Sequence, residues 1–467
     1  MLTYDLEQAT GPLYQYIYQC LKDDIMTGGL QAGDKLPSKR TFARNHGIST
    51  ITIQNAYDQL ISEGYIYTVP KKGYYVAKIR GMRQVPKETN LSLNIQRQEK
   101  KVEYAVDLSD NRMSPERFPF TVWAKIGREI MSDHKSELME PSPAGGTRAL
   151  REAVAEHLKS YRAMLVDPDQ IVVGAGTEYL YSLLVQLLAP RSTYCLEDPG
   201  YKKIAQVYKR CGVTCRYGRL DDQGITVDSL KRSGADIAHI SPNHHFPTGI
   251  TMPASRRYEV LAWANEKEGR YLIEDDYDSE FRLGGRPVPT LFSIDACEKV
   301  IYMNTFSKSL TPTIRISYMV LPVHLANRFY EELSFYSCTV SNFEQYTLAA
   351  FIKQGYFEKH INRMRLYYAR QRQKIKEVLE KGVPGLPCEI RENDSGLHFL
   401  LHLKTDLTDR EVVKKLAEQG VRVHALSEYY TKKQGEEHFF IINYSNLDVE
   451  KAAAAMEIIA DVTGGKL

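Results

Sequence analysis

The segment Thr305-Phe306-Ser307-Lys308-Ser309 follows an apolar run, and Arg315 stands seven residues after Lys308. A lysine at the end of a buried strand, beside small hydroxyl residues, can be desolvated, and desolvation lowers its pKa. Such a lysine is fit to form a Schiff base with a carbonyl compound. An arginine close by can hold a phosphate group in its planar fork. A single Ser-Lys pair describes a surface lysine equally well, so other segments must carry part of the argument.

Four of them do. Tyr271-Leu272-Ile273-Glu274-Asp275-Asp276-Tyr277 is a strand running into carboxylates, and the period of two puts Asp275 and Tyr277 on one face. An aspartate there can keep a pyridine nitrogen protonated, and a tyrosine can donate to a phenolic oxygen; the plainer alternative is a solvated acidic turn. Ile171-Val172-Val173-Gly174-Ala175-Gly176-Thr177 ends in glycines that feed a helix, where free amides form an anion site or merely a tight turn. Glu197-Asp198-Pro199-Gly200-Tyr201 exposes an aromatic ring that can stack on a flat ligand. Ser241-Pro242-Asn243-His244-His245-Phe246-Pro247-Thr248-Gly249 follows another apolar run. With no carboxylate or cysteine at ligand spacing, its two histidines read as a polar loop, and no metal is expected.

These segments need a scaffold that brings them together. Ile171 to Val173, Tyr194 to Leu196, Ile237 to Ile240, Tyr271 to Ile273, Val300 to Met303 and Ser317 to Leu321 read as strands. Helical patterns lie between most of them, for example Glu178 to Leu188 and Ala254 to Glu268. Alternation of this kind predicts a mostly parallel α/β sheet, which binds ligands outside the carboxyl ends of its strands. A long helix is expected from about Glu344 to Glu380, then a smaller α+β unit over about 385–467.

Residues 1–79 have a different character. Leu13, Ile17, Leu21 and Ile25 recur at helical spacing before Gly28-Gly29. Ser38 is a plausible N-cap for a second helix through Phe42 and Ala43, which turns at His46-Gly47. A third helix carries Ile53, Tyr57, Leu60 and Ile61 and ends at Gly64. Two strands, Tyr65 to Val69 and Tyr74 to Ala77, are joined at Pro70-Lys71-Lys72-Gly73. The spacing fits a helix-turn-helix with a hairpin, whose third helix presents Ser49, Thr50, Thr52, Gln54 and Asn55 to a major groove. Lys71 and Lys72 at the hairpin tip suit phosphate contacts, and Lys39 and Arg40 begin the preceding helix. Residues 80–104 mix charged residues with Gln and Asn and read as a solvated linker.

Composition bounds the rest. The 467 residues are 43% apolar and 25% charged, an ordinary globular balance that excludes a largely disordered chain. The net charge of +3 makes any nucleic-acid site a local patch. Seven scattered cysteines without a C-x-x-C motif indicate neither a disulfide framework nor a zinc knuckle. The start Met1-Leu2-Thr3-Tyr4-Asp5 lacks the marks of a signal peptide, and the apolar stretch from Tyr179 to Ala189 is too short to span a bilayer. A cytoplasmic protein with no membrane segment is expected.

Leu36-Pro37-Ser38-Lys39-Arg40, followed by Ile48-Ser49-Thr50-Ile51-Thr52-Ile53, Leu60, Gly64 and a wing closing on Gly73, resembles the winged helix of GntR-type transcription regulators. The resemblance covers nearly all of the first 78 residues and implies DNA contacts by Arg40, Thr50, Thr52, Gln54, Lys71 and Lys72. The five loops, with Pro143-Ala144-Gly145-Gly146 and Leu150-Arg151, resemble fold-type I aminotransferases over about residues 105–450. That resemblance implies pyridoxal 5'-phosphate as cofactor, with Lys308 as the catalytic, Schiff-base lysine. It further implies Asp275 at the pyridine nitrogen, Tyr277 at the ring hydroxyl and Tyr201 stacked on the ring. Gly176, Thr177, Thr305 and Arg315 would then hold the phosphate. Together the halves resemble the MocR subfamily of bacterial regulators.

The implied fold is an α+β winged helix-turn-helix over 1–79, a linker over 80–104, and an α/β fold-type I PLP-dependent transferase-like domain over 105–467. The latter combines a mostly parallel large subdomain with a small α+β subdomain. The implied function is a PLP-dependent DNA-binding transcriptional regulator. It would recognise a double-stranded DNA operator and sense a small amine, an amino acid or the cofactor itself through an aldimine site. A head-to-tail homodimer is implied, with the DNA-binding domains crossing to the partner. The alternative is an active aminotransferase with an appended DNA-binding module. Departures from the enzyme pattern favour the regulator, with at most residual half-reactions. Phe246 stands where transaminases carry Asn before Pro-Thr-Gly, Glu140 where a tyrosine is usual, and Ile441 in the expected slot of the carboxylate-binding arginine. Lys203 is the nearest alternative cation, and a larger register shift would bring in Arg422.

Overall fold

The computed structural model describes residues 4–79, 102–188, 192–282, 288–381, 388–391, 396–432 and 437–464. The chain divides into two compact units, Met1–Lys100 and Lys101–Leu467. Of the expected linker, 80–101 lies outside the described residues.

In the first unit three helices, Leu13–Thr27, Lys39–His46 and Thr50–Ser62, enclose an apolar core. Their ends are set by side-chain chemistry. Ser38 and Ser49 cap the second and third helices, accepting from the amides of Thr41 and Ile51. Gly28 and Gly47 end the first two in left-handed conformation, which only glycine adopts without strain. Tyr57, fully buried, donates its hydroxyl to the Pro37 carbonyl at 3.0 Å, tying the third helix to the start of the second. The hairpin Ile66–Val69 and Gly73–Val76 gains a third strand, Lys35–Leu36, that the sequence pattern did not reveal. Two residues are too short to show a period.

The second unit is built on an eight-stranded sheet. Its order is Ile171–Gly174, Ser317–Val320, Val300–Thr305, Tyr271–Asp275, Ile237–Ile240, Thr193–Asp198, Thr214–Asp221 and Gly224–Ile225. All six expected strands are present. Thr214–Asp221 escaped notice because Arg216 and Arg219 interrupt it and much of it is exposed near the sheet edge. Alternation along the central strands divides the core. Ile301 and Met303 join one cluster while Tyr302 joins another on the opposite face.

Ser317–Val320 runs antiparallel to both neighbours, and the strands from Val300–Thr305 to Thr214–Asp221 are parallel. Two antiparallel steps restore direction, so Ile171–Gly174 points the same way as the central strands. The carboxyl ends of all five loop-bearing strands therefore meet at one edge of the sheet.

The expected single helix from Glu344 to Glu380 is two helices, Asn342–Lys353 and Tyr356–Lys381. Gly355 at φ +74° turns the chain between them, a conformation that periodicity does not register. The second, 26 residues long, packs on Val449–Thr463 of the small subdomain. There Cys388–Arg391, His398–Leu403, Phe439–Asn443 and His424–Ala425 form an antiparallel sheet. Val106–Asp107, from the start of the unit, pairs with Val421–Arg422. No helix among the described residues is long and apolar enough to cross a membrane.

One buried ion pair anchors the loop after Tyr271–Asp275. Arg162 reaches Asp276, which also accepts from the Tyr302 hydroxyl at 2.8 Å. Arg162→Ala would leave Asp276 charged and unpaired in the interior, a loss of roughly 3 kcal/mol or more. A clear drop in melting temperature is expected, partly recovered by adding Asp276→Asn. Melting unchanged by Arg162→Ala would contradict this account.

Candidate functional site

Lys308 sits in the short helix Phe306–Ser309 that leaves the strand Val300–Thr305. The Thr305 hydroxyl caps that helix by accepting from the Ser307 amide at 3.1 Å. Burial lowers the Lys308 pKa, and the carboxylates of Asp278 and Asp110 pull it back toward the ordinary value. The opposition favours a larger neutral fraction than a solvated lysine has.

Asp275 ends the next strand and is buried. Its Oδ2 accepts from the Tyr181 hydroxyl at 2.7 Å and lies 3.3 Å from His239 Nε2. His239 is in turn 2.8 Å from the Tyr208 hydroxyl. Oδ1 of Asp275 is buried with no hydrogen-bond partner among the described residues. An unpartnered carboxylate oxygen in a cavity wall suits a cationic N–H donor such as a protonated ring nitrogen. Tyr277 donates to the His244 carbonyl at 3.2 Å. Burial and the nearby Asp278 and Asp275 carboxylates hold its pKa well above the ordinary value, so it remains a donor.

The glycine-ended strand delivers Gly176 at φ +93° as the cap of helix Thr177–Leu187. A side chain at Gly176 would collide with the Arg315 guanidinium, so glycine lets the arginine lie against the helix amides. The Ser317 hydroxyl donates to the Thr305 hydroxyl at 2.7 Å, and Thr305 lines the cavity. The neighbouring Ser307 hydroxyl is buried and unpartnered among the described residues. The sequence signal of Ser307 is its place beside Lys308, and only the fold separates its free hydroxyl from the committed one of Thr305.

Lys308, Asp275, Tyr277, Tyr201, Thr177, Thr305, Arg315 and Ser307 all line one cavity of about 820 Å³. Gly176 abuts it through Arg315. Tyr201 is 48% exposed, its ring 5.9 Å from and edge-on to that of Phe246. The fit to pyridoxal 5'-phosphate is good: an amine, a bare carboxylate oxygen, a phenol and an anion seat are distributed around one space.

The expected alternatives for carboxylate binding are placed less favourably. Ile441 is buried with Leu400 and Leu426, and Phe246 and Tyr429 pack on that cluster. Arg422 pairs with Asp107 at 3.4 Å and is not among the residues lining the cavity. Lys203 lines the cavity but is paired with Glu178. Glu140 turns its carbonyl to the Asn342 amide at 2.9 Å. His244 lies 2.7 Å from Asp278, and His245 lies 2.7 Å from Thr248 Oγ1. Burial lowers the His245 pKa to about 3, so it stays neutral.

In the first unit, Ile53, Ala56, Tyr57 and Leu60 turn the third helix inward. Thr50, Gln54 and Asn55 are exposed and Thr52 is half-buried. Arg40 is exposed on the preceding helix, and Lys71 and Lys72 are exposed at the hairpin turn, Lys71 at φ +63°. Ile51 is 69% exposed in the first turn of the third helix. Apolar residues are ordinarily assigned to a core, so residue type alone does not single it out.

A family model for class I and II aminotransferases matches residues 104–459, and one for the GntR family of bacterial regulatory proteins matches 13–76. The HTH-type transcriptional regulator YdeL of Bacillus subtilis is 36% identical, over 90% of each chain. The probable rhizopine catabolism regulatory protein MocR of Rhizobium meliloti is 29% identical, over 96% of this chain and 93% of its own. The chain belongs to the MocR subfamily of GntR-type transcription regulators. A kynurenine aminotransferase structure from Pyrococcus horikoshii superposes with a TM-score of 0.68 at 23% identity, covering 78% of this chain and 91% of its own. The large unit of this MocR-type regulator thus has the aminotransferase fold, and its cofactor is pyridoxal 5'-phosphate.

The charges around Lys308 make a prediction. Asp278→Asn removes a carboxylate that favours the ammonium form, so the Lys308 pKa should fall further. Acylation of cofactor-free protein, read at Lys308 by mass spectrometry, should reach half-maximal rate at lower pH in the variant. A midpoint that stays or rises would count against this reading of the site.

Proposed function

We propose that this regulator reads the supply of a small amine, an amino acid or the cofactor itself at Lys308 and converts it into altered binding of a double-stranded DNA operator. The observation that carries the reading is the bare Oδ1 of Asp275 in the same cavity as the desolvated Lys308. Bound there, the cofactor supplies an aldehyde that condenses with primary amines. Lys308 anchors it covalently, and Asp275 faces the pyridine nitrogen. Tyr277 reaches the ring hydroxyl and Tyr201 covers the ring. Gly176, Thr177, Thr305, Ser307 and Arg315 surround the phosphate. Arg40, Thr50, Thr52, Gln54, Lys71 and Lys72 contact DNA, the lysines through phosphates. The protein acts in the cytoplasm as a head-to-tail homodimer. Sensing requires the effector to bind two states of the dimer with different affinity.

The apolar surroundings of Ile441 favour sensing over sustained turnover. Transamination needs the substrate carboxylate held so that its Cα–H bond stands perpendicular to the ring, and misplacement costs about a hundredfold in rate. Multiple-turnover production of a keto acid from common amino acids should be negligible, although amines should perturb the visible absorbance of the bound cofactor. Enzyme-like turnover would favour the alternative.

Two variants test the reading. Lys308→Ala should abolish the visible band of the holoprotein and let the cofactor dialyse away; a variant that keeps a borohydride-reducible adduct would refute the anchor. Neutralising Lys71 and Lys72 together should weaken binding to all DNA sequences. It should also flatten the salt dependence by about one unit per lost phosphate contact. An unchanged salt slope would place the hairpin tip away from DNA.

A further inference from the structure

Glu178 brings a negative charge to the anion seat of the cavity, between Arg315 and Lys203. Glu178 is the second residue of the helix Thr177–Leu187. Its Oε2 lies 2.6 Å from Nη2 of Arg315, and its Oε1 takes the Lys203 ammonium. Glu178, Arg315 and Lys203 all line the cavity. A side chain at Gly176 would meet both the Arg315 guanidinium and the Glu178 carboxylate, so the carboxylate shares the space between arginine and helix amides. That space is the anion seat of the site.

A phosphate dianion entering the seat beside Glu178 would set three negative charges against two side-chain cations. Like charges in one seat oppose each other's ionised form, so the two anions compete. The phosphate has the advantage of greater charge and three acceptor oxygens. Glu178 is 30% exposed at its side chain, on a flexible stem that can turn to water. Burial works against its charge, but Lys203 and Arg315 hold its pKa down at about 2. It is therefore an anion throughout the neutral range.

We propose that Glu178 is an intrachain competitor for the phosphate seat, occupying Arg315 and Lys203 until the phosphate of the cofactor displaces it. The proposal rests on the cofactor reading above. Glu178 then weakens phosphate binding relative to what the seat would otherwise allow, so that occupancy responds to cofactor concentration.

The test compares pyridoxal 5'-phosphate with pyridoxal, which lacks the phosphate, on the cofactor-free full-length chain by equilibrium dialysis. Glu178→Gln keeps the shape and removes the charge. Its Kd for pyridoxal 5'-phosphate should fall roughly fivefold, the scale of losing one partly exposed ion pair of about 1 kcal/mol. The gain should be the same at about pH 7.5 and about pH 9, where Glu178 and the phosphate both keep their full charge. The Kd for pyridoxal should not change, which also reports an intact site; Glu178→Ala should reproduce the pattern. Unchanged or weaker binding of pyridoxal 5'-phosphate, with pyridoxal binding intact, would overturn the proposal and make Glu178 a support for Arg315. If the wild-type chain bound neither compound, the cofactor reading itself would fall, and this proposal with it.

Discussion

Asp275 holds a carboxylate in the interior with one oxygen satisfied and the other bare. Leaving a buried acceptor without a partner costs on the order of 1–3 kcal/mol, and more for a charged one. The surroundings keep that arrangement stable. Tyr181 and His239 fix Oδ2, Tyr208 approaches His239 from behind, and the strand pairs on both sides through its backbone. A rigid, half-satisfied acid is of use where a ligand completes it. The rest of the site is organised toward the same space: the lysine from the adjacent strand, the arginine after it and the helix amides two strands further along the sheet.

Strand direction makes this possible. A parallel sheet presents its carboxyl ends along one edge, so loops distant in sequence share a rim. The antiparallel strand Ser317–Val320 lies between Val300–Thr305 and Ile171–Gly174 without breaking that arrangement, because two reversals cancel. It also carries the Ser317 hydroxyl that donates to Thr305, while Ser307 and Ser309, on either side of Lys308, keep buried hydroxyls without a partner among the described residues. The small subdomain brings Tyr429 and Tyr430 to the cavity, and both pack on the apolar cluster of Leu400, Leu426 and Ile441. In the first unit the same economy appears on a smaller scale. One side of the third helix is spent on the core, which leaves Thr50, Ile51, Gln54 and Asn55 outward.

Motifs proved more legible than contacts. Strands such as Val300–Thr305 announced themselves because they are buried on both faces and read as unbroken apolar runs. Thr214–Asp221 did not, since its largely exposed place one strand in from the sheet edge lets charged residues into it. The join of Asn342–Lys353 to Tyr356–Lys381 was missed because the apolar period continues past Gly355 while the backbone turns there. The partners of Lys203 and Arg315 were invisible for another reason: Glu178 is 25 residues from one and 137 from the other.

The amino-acid sequence by itself determined which local conformations were available and which chemical groups stood at strand ends. Serine caps, glycine turns and apolar periods act over a few residues, so the three-helix unit, the six buried strands and the Lys308, Asp275 and Gly176 segments could be read directly. Tertiary structure alone decided how those groups are loaded: that Asp275 keeps one oxygen bare, that Ser307 rather than Thr305 has the free hydroxyl, and that Glu178 sits on the arginine of the anion seat. Each of these depends on a distance of a few ångströms between segments far apart in the chain. Hydrogen bonds and ion pairs fall off within that distance, and no local pattern encodes it.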